Sequence, residues 1–216
     1  MSNSNKSLIF FVGLIPTMMV MLLTGVLIKA FVEHSFLMGI MFIAILYLLP
    51  PLMWRMLSPF IPTKMGASYL GVHTENVNGW FVSYQIQQIY NAVPVLESLL
   101  KLIPGVYSAW LRLWGAKIGS KINWTAQSKI VDRPFVHIGD RCLIGNEAYL
   151  SAHAIKKKDN RYLLYLKEVT IGSDVVLSFR SVVAPGAVIG NRAFIEAGAA
   201  VHTNVKVGEG QIHERE

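Results

Sequence analysis

A single cysteine, Cys142, stands in the 216 residues, so no disulfide can close within the chain. Charge is sparse too: only 15% of residues are Asp, Glu, Lys or Arg. It is absent from Ser7 to Ile28 and again from Ser35 to Trp54. Acids number 13 against 20 Lys and Arg, a net charge of +7, but the surplus is spread along the chain. Residues 1–115 hold 6 cations and 3 acids, and residues 116–216 hold 14 and 10. No block of like charge resembles a nucleic-acid tract, so nucleic acid is not an expected partner. Membrane phosphates and an anionic cofactor suit the surplus better.

The two uncharged runs each approach the ~20 apolar residues that span a bilayer. Together they explain a mean hydropathy of +0.43. Lys29, Glu33 and His34 lie between them, which reads as a two-helix transmembrane hairpin over residues 1–57. A cleaved signal peptide would want a shorter apolar core and a small-residue cleavage site. Lys6 precedes the first run, Arg55 and Lys64 follow the second, and Lys29 alone is near the hairpin. That distribution puts both termini and the remainder of the chain in the cytoplasm, with a bacterial inner membrane as the expected setting. Two spans with no intramembrane charge offer no solute path, so a transporter is not expected.

Residues 58–115 read as a connector. Leu57–Asn78 is rich in Pro, Gly and polar residues, with His73 inside it. Pro94 and Pro104-Gly105 then split the following stretch into helices at Gly79–Ala92, Val95–Ile103 and Val106–Trp114. Trp80, Phe81, Tyr84, Tyr90, Tyr107, Trp110 and Trp114 are numerous for a soluble linker. One reading makes these amphipathic interfacial helices in the headgroup zone. The other has the aromatics cap the first turn of the domain that follows.

From Val136 to Gly208 the chain counts in sixes. Aliphatic residues stand at Ile138, Ile144 and Leu150, then at Ile171, Leu177, Val183, Ile189, Ile195, Val201 and Val207. A small or valine-sized residue precedes each by two, from Val136, Cys142 and Ala148 to Ala199 and Val205. Gly follows the aliphatic position at Gly139, Gly145, Gly172, Gly190 and Gly208, where it is expected to ease the bend. Helices repeat near 3.6 and strands at 2, so a six-residue period with a size rule points to a stacked parallel β-helix. Cys142 falls on a small position, which makes it a core residue and not a nucleophile. Ile118, Trp124 and Ile130 extend the rhythm backwards. The interval from Ile130 to Ile138 is eight, so two extra residues enter near Asp132-Arg133-Pro134. From Leu150 to Ile171 there are 21, which implies an excursion around residues 155–167 with Lys156–Arg161 at its tip.

Over Ala116 to Gly208 these residues resemble the hexapeptide-repeat family of left-handed β-helix acyltransferases. The resemblance implies a left-handed coil of three sides over residues 116–216, association as a homotrimer, and active sites between chains. It also implies acetyl-CoA or another acyl-CoA as co-substrate, with no metal. His153, just past a repeat position and just before the excursion, resembles the family's general base. An imidazole with a pKa near ~6.5 can take a proton from an acceptor hydroxyl at neutral pH and return it to the thiolate leaving group. By register, Ser178, Ala197 and Thr203 match positions along the coenzyme arm, with Lys206 or Arg192 near its phosphates. His137 should point outwards, and His202 occupies a corner near Glu196.

The expected activity is therefore transfer of an acyl group, acetyl first of all, to a hydroxyl of a lipid, lipid-linked sugar or other membrane-associated acceptor. Amine acceptors use the same base. Two alternatives stand beside it. One is a non-catalytic trimeric membrane scaffold. The other is a zinc enzyme like the γ-class carbonic anhydrases, against which the wide spacing of His137, His153 and His202 speaks.

Overall fold

Both uncharged runs are helical in the computed structural model, which describes residues 3–70 and 78–215. His73 lies outside the described residues. The chain divides into two units: Met1–Thr63 with Gly71–Ala92, and Lys64–Leu70 with Val93–Glu216.

In the first unit, α1 (Asn3–Gly13) and α2 (Ile15–Val32) meet at Leu14, which keeps helical dihedrals. Pro16 sits in the first turn of α2, where a missing N–H leaves no bond unmade. After a tight turn through His34, at φ 47°, α3 (Phe36–Leu57) starts at Ser35, whose Oγ accepts from the Met38 N–H. Ser7–Val32 and Phe36–Leu57 are each long and apolar enough to cross a bilayer, by length and composition. Pro50 and Pro51 fall inside α3. Pro50 cannot donate to the carbonyl four residues back, that of Leu46. The hydroxyl of Tyr90 donates to that carbonyl instead. Tyr90 lies on α4 (Gly79–Ala92), which buries Trp80, Val82, Ile86 and Tyr90 and packs on α2 and α3. A proline defect in one helix is thus met by a tyrosine 44 residues away.

In the second unit, α5 (Val95–Lys101) and α6 (Val106–Trp114) precede the β-structure. α5 stops two residues short of the expected Ile103, because a residue before proline is disfavoured in helical conformation. Tyr107, Trp110 and Trp114 of α6 are buried. The Trp124 indole N–H donates to Ser108 Oγ at 2.8 Å, and the Arg112 Nε donates to the Ile118 carbonyl at 2.8 Å. For α6, then, the capping reading holds: its aromatics cover the first coil.

Strands of two or three residues stack into three parallel sheets, which the chain visits in turn. The first sheet carries Lys117–Ile118, Val136–Ile138, Val169–Ile171, Val188–Ile189 and Lys206–Val207. The second holds Asn123–Trp124, Leu143–Ile144, Val176–Leu177, Phe194–Ile195 and Ile212–His213. The third holds Lys129–Ile130, Tyr149–Leu150, Val182–Val183 and Ala200–Val201. Register pairs repeat with repeat, as in Ile144 with Leu177 and Leu177 with Ile195. The aliphatic positions are buried, and so are the small ones from Val136 to Ala199.

The glycines have a different cause from the one expected. Left-handed backbone falls two residues later, at Arg141, Glu147, Asp174, Arg180 and Arg192 among others. Gly139 and Gly145 are needed because the coils stack closely. A Cβ on Gly145 would lie 2.5 Å from the Leu177 carbonyl oxygen, and one on Gly139 would lie 2.6 Å from the Ser173 nitrogen. The left-handed corner residues, in turn, pair across coils at the surface, as Arg141 with Asp174 and Arg180 with Glu147.

Both interruptions are present. Arg133–Phe135 forms a single 3₁₀ turn. The excursion is a hairpin of His153–Lys158 against Arg161–Leu166. Its two-residue loop, Asp159-Asn160, has φ of 48° and 56°, the geometry that suits the twist of a hairpin and that Asp and Asn tolerate. A third strand, Gly66–Leu70, pairs antiparallel with Arg161–Leu166. That strand lies within the stretch read from sequence as a connector.

Candidate active site

The site arises where the two interruptions meet. Ile130 and Leu150 pair in the third sheet, and two residues beyond each the chain leaves the regular coil, at Asp132 and at Ala152. Asp132 is wholly buried. Its Oδ2 accepts from the Ala152 N–H at 2.8 Å and from the Ser151 hydroxyl at 3.2 Å. Both carboxylate oxygens face His153 Nδ1, at 2.8 and 2.7 Å. A carboxylate only accepts, so the proton of a neutral His153 sits on Nδ1 and the lone pair on Nε2. The ring keeps 16% of its surface exposed at the root of the hairpin. The residue expected as general base is thus paired with a carboxylate that the sequence reading did not single out. The only signal was the eight-residue interval that marks Asp132 as one of the inserted residues.

A second layer holds that insertion. Arg133 is 1% exposed, and its Nε donates to Glu97 Oε1 of α5 at 2.5 Å. The Tyr107 hydroxyl donates to the other Glu97 oxygen at 2.8 Å, and the Trp110 ring lies 5.7 Å from the guanidinium. Two buried charges are tolerable only when paired and hydrogen-bonded as these are. Burial, followed by the Glu97 charge, pushes the Tyr107 pKa well above its usual value, which keeps it a donor. Lys101, at the end of α5, reaches the carbonyls of Ser128 and Ala126. Burial brings its pKa down to about 8.

The remaining sequence candidates are dispersed. Ser178 and Ala197 occupy the corner between the second and third sheets, one coil apart, with the Ser178 N–H bonded to the Ile195 carbonyl. Thr203 is at the corner after the third sheet, the corner from which His153 also departs, but two coils on. Lys206 faces outwards on the first sheet, and Arg192 is paired with Glu209. Within this chain none of them adjoins His153 in sheet register. His137 does point outwards, 3.8 Å from Glu168, and His202 is exposed. Cys142 is buried, and that burial pushes its thiol pKa up, as expected of a core residue. Among the described residues no three His, Cys, Asp or Glu side chains gather in one place.

No family model matches the chain, and no curated protein does. Among solved structures it is similar to a hexapeptide-repeat-containing acetyltransferase of Vibrio cholerae, with 19% identity and a TM-score of 0.40 over 57% of this chain and 86% of that one. A complex of that kind of acetyltransferase with acetyl coenzyme A, from Vibrio cholerae O1 biovar eltor, gives 17% and 0.41 over 59% and 82%. A maltose O-acetyltransferase of Clostridium difficile 630 gives 16% and 0.33 over 55% and 78%.

Proposed function

We propose that this chain is a membrane-anchored acyltransferase with His153 as general base, moving an acyl group from acetyl-CoA or a longer acyl-CoA to a hydroxyl. The observation that carries the reading is the His153–Asp132 pair. Nε2 takes the proton of the acceptor hydroxyl as its oxygen attacks the thioester carbonyl. The tetrahedral centre then collapses, the C–S bond breaks, and the proton passes from Nε2 to the departing thiolate. Asp132 fixes the ring's tautomer and stabilises the imidazolium that forms between the two transfers. A backbone N–H at a coil corner is the simplest donor for the oxyanion.

The rest of the reading is a left-handed coil, a homotrimer and two spans. A stack of outward apolar side chains on the second sheet, Leu143, Val176, Phe194 and Ile212, supports association with further copies. Association would also bring Ser178, Ala197, Thr203 and Lys206 of one copy towards His153 of another, where the coenzyme arm would run. Large apolar side chains left exposed on the helices, such as Phe31 and Phe36, favour lipid around α2 and α3. Lys6, Arg55 and Lys64 put the termini in the cytoplasm. Anchoring makes sense if the acceptor is a lipid, a lipid-linked sugar or another membrane-embedded hydroxyl compound.

The test is acyl transfer in membranes. Vesicles bearing the full chain are given isotopically labelled acetyl-CoA, and their lipids and glycolipids are read by mass, with His153→Asn vesicles as reference. Label on one lipid class, lost in the variant, supports the reading. Equal labelling by both proteins removes His153 from the mechanism. Coenzyme A binding without label on any lipid removes the membrane acceptor. A chain that neither binds coenzyme A nor labels a lipid is the scaffold of the alternative reading.

A further inference from the structure

Between the α5–α6 turn and the edge of the first coil lies a cavity of about 320 Å³. Lys101, Ile103, Gly105, Lys121 and Asn123 are among its lining residues, and no acidic residue is. One face of α5 and its extension runs up to this cavity. Val95 and Leu99 lie one turn apart on α5, Leu102 and Ile103 follow its end, and each is more than half exposed. The other side of α5 is turned inwards, with Glu97 buried against Arg133 and Tyr107. An apolar stripe that ends at two lysines suits one chemistry well: a phosphate on an acyl chain.

We propose that this cavity binds the phosphate of an anionic phospholipid at Lys101 and Lys121, while Leu99, Leu102 and Ile103 enter the acyl layer. The stripe is apolar on its own account and ends beside the two lysines that line the cavity. A soluble phosphate ester would use the lysines and leave the stripe without a role. Lys101 remains largely charged at neutral pH even though burial lowers its pKa to about 8. Lys121 lies at a left-handed corner, φ 55°. The proposal rests on the membrane part of the reading above and is independent of acyl transfer.

Hydrogen exchange of the full chain in nanodiscs tests it, comparing pure phosphatidylcholine with phosphatidylcholine containing increasing phosphatidylglycerol. Residues 99–107 and 119–124 should exchange more slowly as phosphatidylglycerol rises. Lys121→Asn, which keeps a residue tolerant of left-handed backbone, should raise the phosphatidylglycerol content needed for half the effect by roughly five-fold. Leu102→Ser with Ile103→Ser should remove the slowing in both lipids. Equal exchange in the two lipids, or no shift with Lys121→Asn, overturns the proposal. So does the same slowing produced by inorganic phosphate in phosphatidylcholine discs, which would make the cavity a site for soluble phosphate esters. Release of the full chain from membranes by alkaline carbonate would overturn the membrane reading itself. Loss of lipid discrimination in a chain that stays in the bilayer overturns this proposal alone.

Discussion

The fourth coil, Val188 to Val201, and the second, Val136 to Leu150, are built from the same six-residue rule and end differently. Strands of the fourth coil begin at Val188, Phe194 and Ala200, and its corners follow one another without insertion. The second coil is bracketed by the Arg133–Phe135 turn before it and the His153–Leu166 hairpin after it. In the fourth coil the polar side chains, Asn191, Arg192 and Glu196, lie at the corners. Where the count fails, one carboxylate is drawn fully inside and an imidazole is set against it. Shape comes from the repeats, and the buried carboxylate–imidazole pair sits at their interruptions.

The sharpest way to break that contrast is to alter one histidine on each kind of coil. His153→Asn should lower acyl transfer by about 10²–10⁴-fold while leaving the folded assembly intact. His202→Asn, on the regular fourth coil, should change turnover little. If their effects are reversed, the interruptions are not where the reaction occurs. Asp132→Asn should cost on the order of 10²–10³-fold, because an amide can present a donor to Nδ1 and favour the wrong tautomer. Steady-state release of coenzyme A thiol measures all three.

Next in size are effects on stability. Arg133→Met leaves Glu97 buried without its cation and should destabilise the second unit by about 3–5 kcal/mol. Adding Glu97→Gln should recover part of the loss, as a thermal melt would show. Gly145→Ala tests the regular stacking instead. It forces a Cβ towards the Leu177 carbonyl, and the cost should be about 1–3 kcal/mol with little change in turnover per folded molecule.

A further effect concerns pH. The folded chain holds the Lys101 pKa near 8, below its ordinary 10.5, so between these values the unfolded chain binds more protons. Stability from this group is therefore lowest below about pH 8 and rises towards pH 10.5. Lys101→Met should flatten that rise in melts taken across the window.

Much of this was legible in sequence because the β-helix repeats its constraint. Each interior position must be aliphatic, each neighbour small, and ten repetitions make the pattern unmistakable. The helix boundaries at Gly79–Ala92 and Val106–Trp114 were legible because proline and glycine punctuate them locally. Asp132 was not, since a lone carboxylate in an insertion looks like any solvated loop residue until the next coil lies over it. The same holds for Glu97, whose partner is 36 residues away. The bend explanation for the glycines failed because chain spacing shows a residue's place in its own coil and says nothing of how near the next coil passes. The Gly66–Leu70 strand was hidden for a related reason. Five residues without strong alternation become a strand only because a distant edge accepts them.

That strand also bears on how the protein is made. Ala67 pairs with Tyr165, so its partner leaves the ribosome 98 residues later. At roughly 5–20 residues per second, the wait is on the order of 5–20 s. During it, α1, α2, α3 and α4 can all be complete while the strand between α3 and α4 has no edge to join. The hairpin that later receives it is the one rooted at His153. A chain arrested before Leu166 would therefore have its apolar helices finished and the Gly66–Leu70 strand still without a partner, and quality-control proteases should find it there.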